Sequence, residues 1–202
     1  MGKSEIDEQD LLRRLIEGDQ AAFENLFRRH NAAMIRFATG IVRSRYVAEE
    51  VVQDTWVSVL SRIDLFEGRS SLAGWIYTIL LNKARTLAKR DGRTVFFDDA
   101  TDGDGLANAF DGRGRWRDLP ELWDELTPDR HVEGRSVLKH VETAIEALPP
   151  AQRAVLMLRG QQELDPKEVC ALLDMSEGNM RVLLHRARVS IRNALDQLNK
   201  SL

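Results

Sequence analysis

Cysteine is nearly absent: Cys170 is the only one among 202 residues. No internal disulfide can form, and an all-thiolate metal site is excluded. Cys170 lies in a short apolar stretch, so it reads as a packed thiol in a chain from a reducing compartment, the cytoplasm. Long hydrophobic runs are also missing. No stretch reaches the roughly 20 apolar residues that span a bilayer, and the N-terminal residues lack the apolar segment of a secretory leader, so no membrane insertion is expected. Aromatic residues make up only 6% and alternating β-branched runs are scarce, which leaves little to build strands from. An excess of positive charge is lacking too. The net charge is −3, so a generic polyanion binder is excluded and any nucleic-acid contact must come from local patches. Paired carboxylates, Ser-His-Asp or Cys-His sets and phosphate loops are not visible either. No enzymatic activity, cofactor or metal is expected.

What is present is helical periodicity. The expected class is all-α, with two small helical domains at 8–93 and 136–198 joined by an acidic flexible linker at 94–135. Residues 8–18 carry Leu11, Leu12, Leu15 and Ile16 on one face, with Gly18 as a stop. Asp19 is a candidate N-cap for a helix whose apolar face is Phe23, Leu26, Phe27, Met34, Phe37 and Ile41. His30 in that helix reads as a surface or core-edge residue, since no ligand cluster surrounds it. Ala48 to Ile63 forms a third helix, with Val51, Val52, Trp56, Val59, Leu60 and Ile63 toward the core. Glu49, Glu50, Gln53 and Asp54 crowd its first half. Acids there suit the helix dipole, and they equally suit a docking face for a basic partner helix; the spacing leaves both open.

After a loop at Phe66–Ser71, Leu72 to Arg90 reads as a fourth helix. Its C-terminal half and exit carry Lys83, Arg85, Lys89, Arg90 and Arg93 against Asp91, a local +4. Trp75 and Tyr77 share the helix. Basic charge beside aromatics can hold single strands through phosphates and stacking, or Trp75 can simply be core. From Thr94 to Arg130, ten acids face four arginines, a net of −6, and glycines interrupt any periodicity. Asp98, Asp99, Asp102 and Asp104 have the wrong spacing for a calcium loop. Leu119, Leu122 and Trp123 suggest a short helix or anchor within the linker.

Helical periodicity resumes at Ser136 with Val137, Leu138, Val141, Ala144, Ile145 and Leu148. Pro149-Pro150 ends that helix and starts the next, Ala151 to Gly160. Pro166 to Leu173 is a short helix, Asp174-Met175-Ser176 a tight turn, and Ser176 an N-cap for a longer helix running to Leu195. Asp174 takes the left-handed position usually given to glycine. Met180, Leu184, Ala187 and Ile191 form an apolar face, and Arg181, His185, Arg188 and Arg192 a stripe beside it. Residues 177–195 hold four arginines against one acid, a local +3. A short helix, a three-residue turn and a longer basic helix make a helix-turn-helix pattern, which places its second helix in the major groove, N-terminus first.

The constellation resembles the extracytoplasmic-function (ECF) group of bacterial sigma-70 family sigma factors. The matching pieces are Gly18-Asp19-Gln20-Ala21-Ala22-Phe23, Ala48-Glu49-Glu50-Val51-Val52-Gln53-Asp54, Phe66-Glu67-Gly68, Trp75-Ile76-Tyr77, Leu148-Pro149 with Gln152-Arg153 and Val155, Gly178-Asn179-Met180-Arg181, and His185-Arg186-Ala187-Arg188. They occur in the family's order and spacing over most of the chain. The resemblance implies a region-2 domain that docks on the β′ clamp helices of core RNA polymerase through Glu49, Glu50, Gln53, Asp54 and Trp56. It implies that Gly68, Arg69, Ser70, Ser71, Trp75, Asn82, Lys83 and Arg85 read and melt the −10 promoter element. A region-4 domain, seated on the β flap, would read the −35 element with Asn179, Arg181, Val182, His185, Arg186 and Arg188. The acidic linker would thread the polymerase's nucleic-acid channels, and an anti-sigma factor is an expected partner. Two departures are notable: Leu81 precedes the family's Asn, here Asn82, and Val182 and His185 alter the −35 contact surface. Two rival classes remain: a helix-turn-helix regulator that never joins the polymerase, and an adaptor with a vestigial DNA domain.

Overall fold

The structure is a computed structural model and describes residues 3–92, Phe97 and 134–201. Its described elements are helices, with no strand among the described residues. α1 (Lys3–Ile16) is followed by α2 (Gln20–Val42), α3 (Arg45–Leu60), a 3-10 turn (Ile63–Leu65) and α4 (Leu72–Arg90). α5 (Gly134–Ala147), α6 (Pro150–Leu156), a π-type turn (Met157–Gln161), α7 (Pro166–Leu173) and α8 (Glu177–Ser201) complete the chain. Most of the linker, including Leu119, Leu122 and Trp123, lies outside the described residues.

Local chemistry fixes most of the boundaries. Gly18, at φ +78°, turns the chain out of α1. The Asp19 carboxylate then accepts from the N–H groups of Ala21 (2.8 Å) and Ala22 (3.2 Å), while Arg14 donates to its other oxygen at 2.8 Å. That arginine, before the two N–H bonds, holds the Asp19 carboxyl below its usual range. Ser44 caps α3 and Ser71 caps α4. Pro150 occupies the first position of α6, where a missing N–H costs nothing. Asp165 and Glu168 close a reciprocal capping box on α7. α1 begins earlier than the expected residue 8, and Arg45 rather than Ala48 opens α3.

The N-terminal unit packs α2, α3 and α4 around Met34, Val52, Ile76 and Leu80, all essentially inaccessible. Phe23, Phe27 and Trp56 form an aromatic cluster, the Phe23 and Trp56 rings meeting edge to face at 5.7 Å. Trp56 is 4% exposed and its indole N–H donates to Asn31 at 3.0 Å. Leu60, expected in this core, is 46% exposed: Val59 takes the inward position, and the next residue points about 100° away on a helix. In the C-terminal unit α6, α7 and α8 enclose Val155, Leu158, Val169, Leu173 and Leu183.

The two units share one continuous apolar core. Phe97, expected to lie in a disordered linker, is 2% exposed and sits with Phe37 and Ile41 of α2 on one side and Pro150, Ala154 and Met157 on the other. Sequence periodicity could not find it, because it belongs to no helix. Burying such a ring contributes about 1.5–3 kcal/mol. Phe97 is therefore anchored in the core that the two units share.

Candidate nucleic-acid interface

The helix-turn-helix is built by its turn. Asp174 adopts the left-handed conformation (φ 56°, ψ 55°), and its N–H bonds to the Cys170 carbonyl, ending α7. Ser176 then accepts from the Asn179 N–H at 3.1 Å, starting α8. This holds α8 by Met180, Leu183 and Ala187, each at most 2% exposed, against the rest of the unit. The complementary face carries Asn179, Arg181, Val182, His185 and Arg186, all partly accessible, and Arg188, which is exposed. Arg181 donates to Glu177 at 2.9 Å one turn back. Burial first, and then the charge of Arg188, push the His185 imidazole below its usual value, so it is neutral at pH 7 and can donate from one ring nitrogen and accept at the other. Burial and then Arg159 similarly lower the Arg188 guanidinium. Arg159, from the π-type turn, thus adds positive charge to this face. It lies outside the helix that carries the basic run, so periodicity missed it.

A second polar surface surrounds the start and outer face of α4. Gly68, at φ +69°, opens an exposed loop in which Arg69 pairs with Glu67 at 2.9 Å. Ser70 is exposed and Ser71 caps the helix, accepting from the Gly74 N–H at 3.1 Å. Trp75 is half-buried, its ring 5.4 Å from Phe66. Tyr77, which the aromatic reading placed beside it, is 0% exposed and stacks edge to face on Phe37 at 5.4 Å; it cannot meet a base. Asn82 is exposed and Lys83 half-exposed. Arg85 points elsewhere, with its guanidinium 5.3 Å from the centre of the Phe97 ring. Burial lowers its pKa, and the charge of Asp174 in the helix-turn-helix partly opposes this.

The third surface is the outer face of α3. Glu50, Gln53 and Asp54 are exposed, and Glu49, half-exposed, is tied to Arg45 at 2.9 Å. Trp56 does not belong to this surface, because it is locked into the aromatic cluster; it acts by holding α3 in place. Val57 (67% exposed) and Leu60 extend the stripe instead. Positions 50, 53, 54, 57 and 60 follow helical spacing, so the acidic face continues into an apolar one. That continuation was legible only once Leu60 was seen to face outward.

Among the described residues there is no group of His, Cys, Asp and Glu that could hold a metal, and no helix long and apolar enough to cross a membrane. Two family models match the chain: "Sigma-70 region 2" over residues 26–94 and "Sigma-70, region 4" over residues 138–191. The chain belongs to the sigma-70 family. Its relatives place it in the ECF group: it is 27% identical to the ECF RNA polymerase sigma-E factor of Escherichia coli (strain K12) over 195 residues, 96% of this chain and 97% of that one. A probable RNA polymerase sigma factor of Haemophilus influenzae is 27% identical over 164 residues, 81% of this chain and 84% of the relative. The fold is similar to that of the sigma factor RpoE from Bartonella quintana, solved with the anti-sigma factor NepR, with a TM-score of 0.53 at 22% identity over 86% of this chain and 96% of that one. The region-2 match contains most of α2 and all of α3 and α4, with both the acidic face and the Gly68–Ser71 loop. The region-4 match contains the helix-turn-helix and most of α8.

Proposed function

We propose that this ECF sigma factor joins core RNA polymerase and directs it to promoters, with residues 8–93 and 136–198 as its two working domains and 94–135 as the connection. The acidic stripe Glu49, Glu50, Gln53 and Asp54 docks on the β′ clamp helices, and Val57 and Leu60 extend that contact. The C-terminal domain sits on the β flap and reads the −35 element. In this reading Arg181 and Arg186 take guanine edges or phosphates, and Val182 a thymine methyl. Gly68–Ser71, Trp75, Asn82 and Lys83 capture −10 bases as they leave the duplex, an event that costs a few kcal/mol and that the polymerase shares. An anti-sigma factor is the expected restraining partner. The activity is physical rather than enzymatic, and the working compartment is the cytoplasm.

The observation that carries this reading is the pairing, in one chain, of a capped helix-turn-helix with a separate polar loop and helix bearing Asn82. A simple helix-turn-helix regulator needs only the first. Run-off transcription with bacterial core polymerase on fragmented genomic DNA tests it. Defined transcripts should appear only when this protein is added. Tight operator binding by the free protein, with no transcript, would favour the regulator.

A further inference from the structure

The loop Phe66–Ser71 is held at its two ends rather than along its length. Glu67, Gly68, Arg69 and Ser70 are all exposed, and their polar contacts are local. Arg69 pairs with Glu67, and the Ser70 hydroxyl donates to the Ser71 carbonyl at 3.3 Å. On the near side, the Phe66 N–H closes the 3-10 turn on the Ile63 carbonyl at 3.2 Å. On the far side α4 begins, and the first N–H groups of a helix have no acceptor within it. Here they find acceptors elsewhere. The Ser71 N–H donates to Glu168 of α7 at 2.6 Å, and the Gly74 N–H to the Ser71 hydroxyl at 3.1 Å. The Leu72 N–H donates to the carboxylate of Glu8, 64 positions earlier, on α1.

α1 is well placed to make that bond rigid. Leu15 is 6% exposed, and Leu11 and Leu12 pack against the core. Glu8 is half-buried and lies two turns before Leu15, about 10 Å along the same helix. Its carboxylate therefore stands on a lever seated in the core. α1 also packs against the 3-10 turn Ile63–Leu65. One helix thus abuts both ends of the loop: the turn before it by packing, and the first residue of α4 after it by a hydrogen bond. The start of a helix favours negative charge, so the Glu8 carboxylate suits its place. Leu72 is 2% exposed. Without Glu8 its N–H would lack an acceptor, and the start of α4 would have to shift toward water to recover one.

We infer that Glu8 is a positioning residue for −10 reading: its carboxylate fixes the first turn of α4, and with it the seat on which Gly68–Ser71 and Trp75 meet an unpaired base. The inference rests on the proposed function for its consequence, whereas the hold of Glu8 on Leu72 is a property of the free protein. Trp75 follows this turn, because its N–H donates to the Ser71 carbonyl at 3.0 Å. Asn82 and Lys83 lie about three turns further along α4, between the buried Leu80, Leu81 and Ala84, and the core holds them without Glu8. Loss of Glu8 should therefore loosen the loop and Trp75 and leave the rest of α4 in place. A captured base needs its partners held within about 0.5 Å, so a loosened seat slows capture before it weakens the fold.

The test compares the full native chain with Glu8→Ala and Glu8→Gln, the second of which keeps an oxygen that can accept from Leu72. In the free protein, amide hydrogen exchange followed by NMR should quicken several-fold at Leu72 in Glu8→Ala and stay near the native rate in Glu8→Gln. Each chain is then joined to bacterial core polymerase on a promoter fragment recovered by run-off transcription. Strand opening, read by permanganate attack on unpaired thymines, should be several-fold slower for Glu8→Ala, with closed-complex occupancy unchanged. A template mismatched across the −10 region should restore the native rate, and Glu8→Gln should open the matched template almost normally. A merely structural role would instead lower occupancy on both templates and shift the urea midpoint. Unchanged Leu72 exchange in Glu8→Ala, an unchanged opening rate, or no rescue by the mismatched template would overturn the inference. If the native chain itself gave no transcript, the proposed function would fall and the −10 role with it, while Leu72 exchange would still decide whether Glu8 holds the start of α4.

Discussion

Single residues carry several separable consequences. The Tyr77 hydroxyl is buried without a hydrogen-bond partner, and burial raises its pKa far above the ordinary phenol value. Removing an unsatisfied buried hydroxyl relieves its desolvation cost, so Tyr77→Phe should stabilise the protein by about 1 kcal/mol, read as a higher urea midpoint at unchanged slope. His30 behaves differently. Burial chiefly lowers its pKa from the usual 6.5; the Gln162 bond partly opposes this, and Arg29 adds to it. The neutral ring is what the folded chain accepts, whereas an exposed His30 protonates more readily. Its contribution is therefore complete above about pH 6.5 and is lost as pH falls through the lowered value. Urea midpoints at pH 7.5 and pH 5 should differ more for the native chain than for His30→Asn; equal differences would rule out His30 as the titrating group. Arg181 pairs with Glu177 one turn back, an exposed contact worth little to stability.

At the scale of elements, the acidic stripe of α3 makes a sharp prediction. Asp54 is exposed on a helix whose opposite face is core, so Asp54→Arg should weaken the complex with core polymerase severalfold while leaving circular dichroism native. An unchanged pull-down would remove α3 from the docking role. Much of the helical architecture was legible in sequence. The Asp19 and Ser176 caps, the left-handed Asp174 and the limits of α4 all follow from residues within four positions of each other, and local chemistry determines them. Leu60 was misplaced for the opposite reason. Periodicity says that a residue is apolar or basic, but which of two adjacent positions faces inward depends on the neighbouring helix. Phe97 and the Ser71–Glu168 bond, 97 positions apart in sequence, depend entirely on how the two units meet.

At the scale of the whole molecule, the proposed function divides the labour between two surfaces. Arg181→Ala should lower promoter occupancy, by about 1–3 kcal/mol if a bidentate base contact is lost. Asn82→Ala, on the other unit, should leave closed-complex binding nearly intact and slow strand opening. A template mismatched across the −10 region removes the cost of unpairing, so it should restore transcription to the Asn82 variant far more than to the Arg181 variant. Equal rescue would mean that the two surfaces do not act separately.

The shared apolar core also has a calorimetric consequence. Units with separate cores melt in separate heat-absorption peaks, whereas helices on both sides of one core lose their packing together. The free chain should show a single peak whose calorimetric enthalpy matches the van't Hoff value. Withdrawing Phe97 should divide that peak in two, so the side chain that joins the halves also makes their unfolding one event.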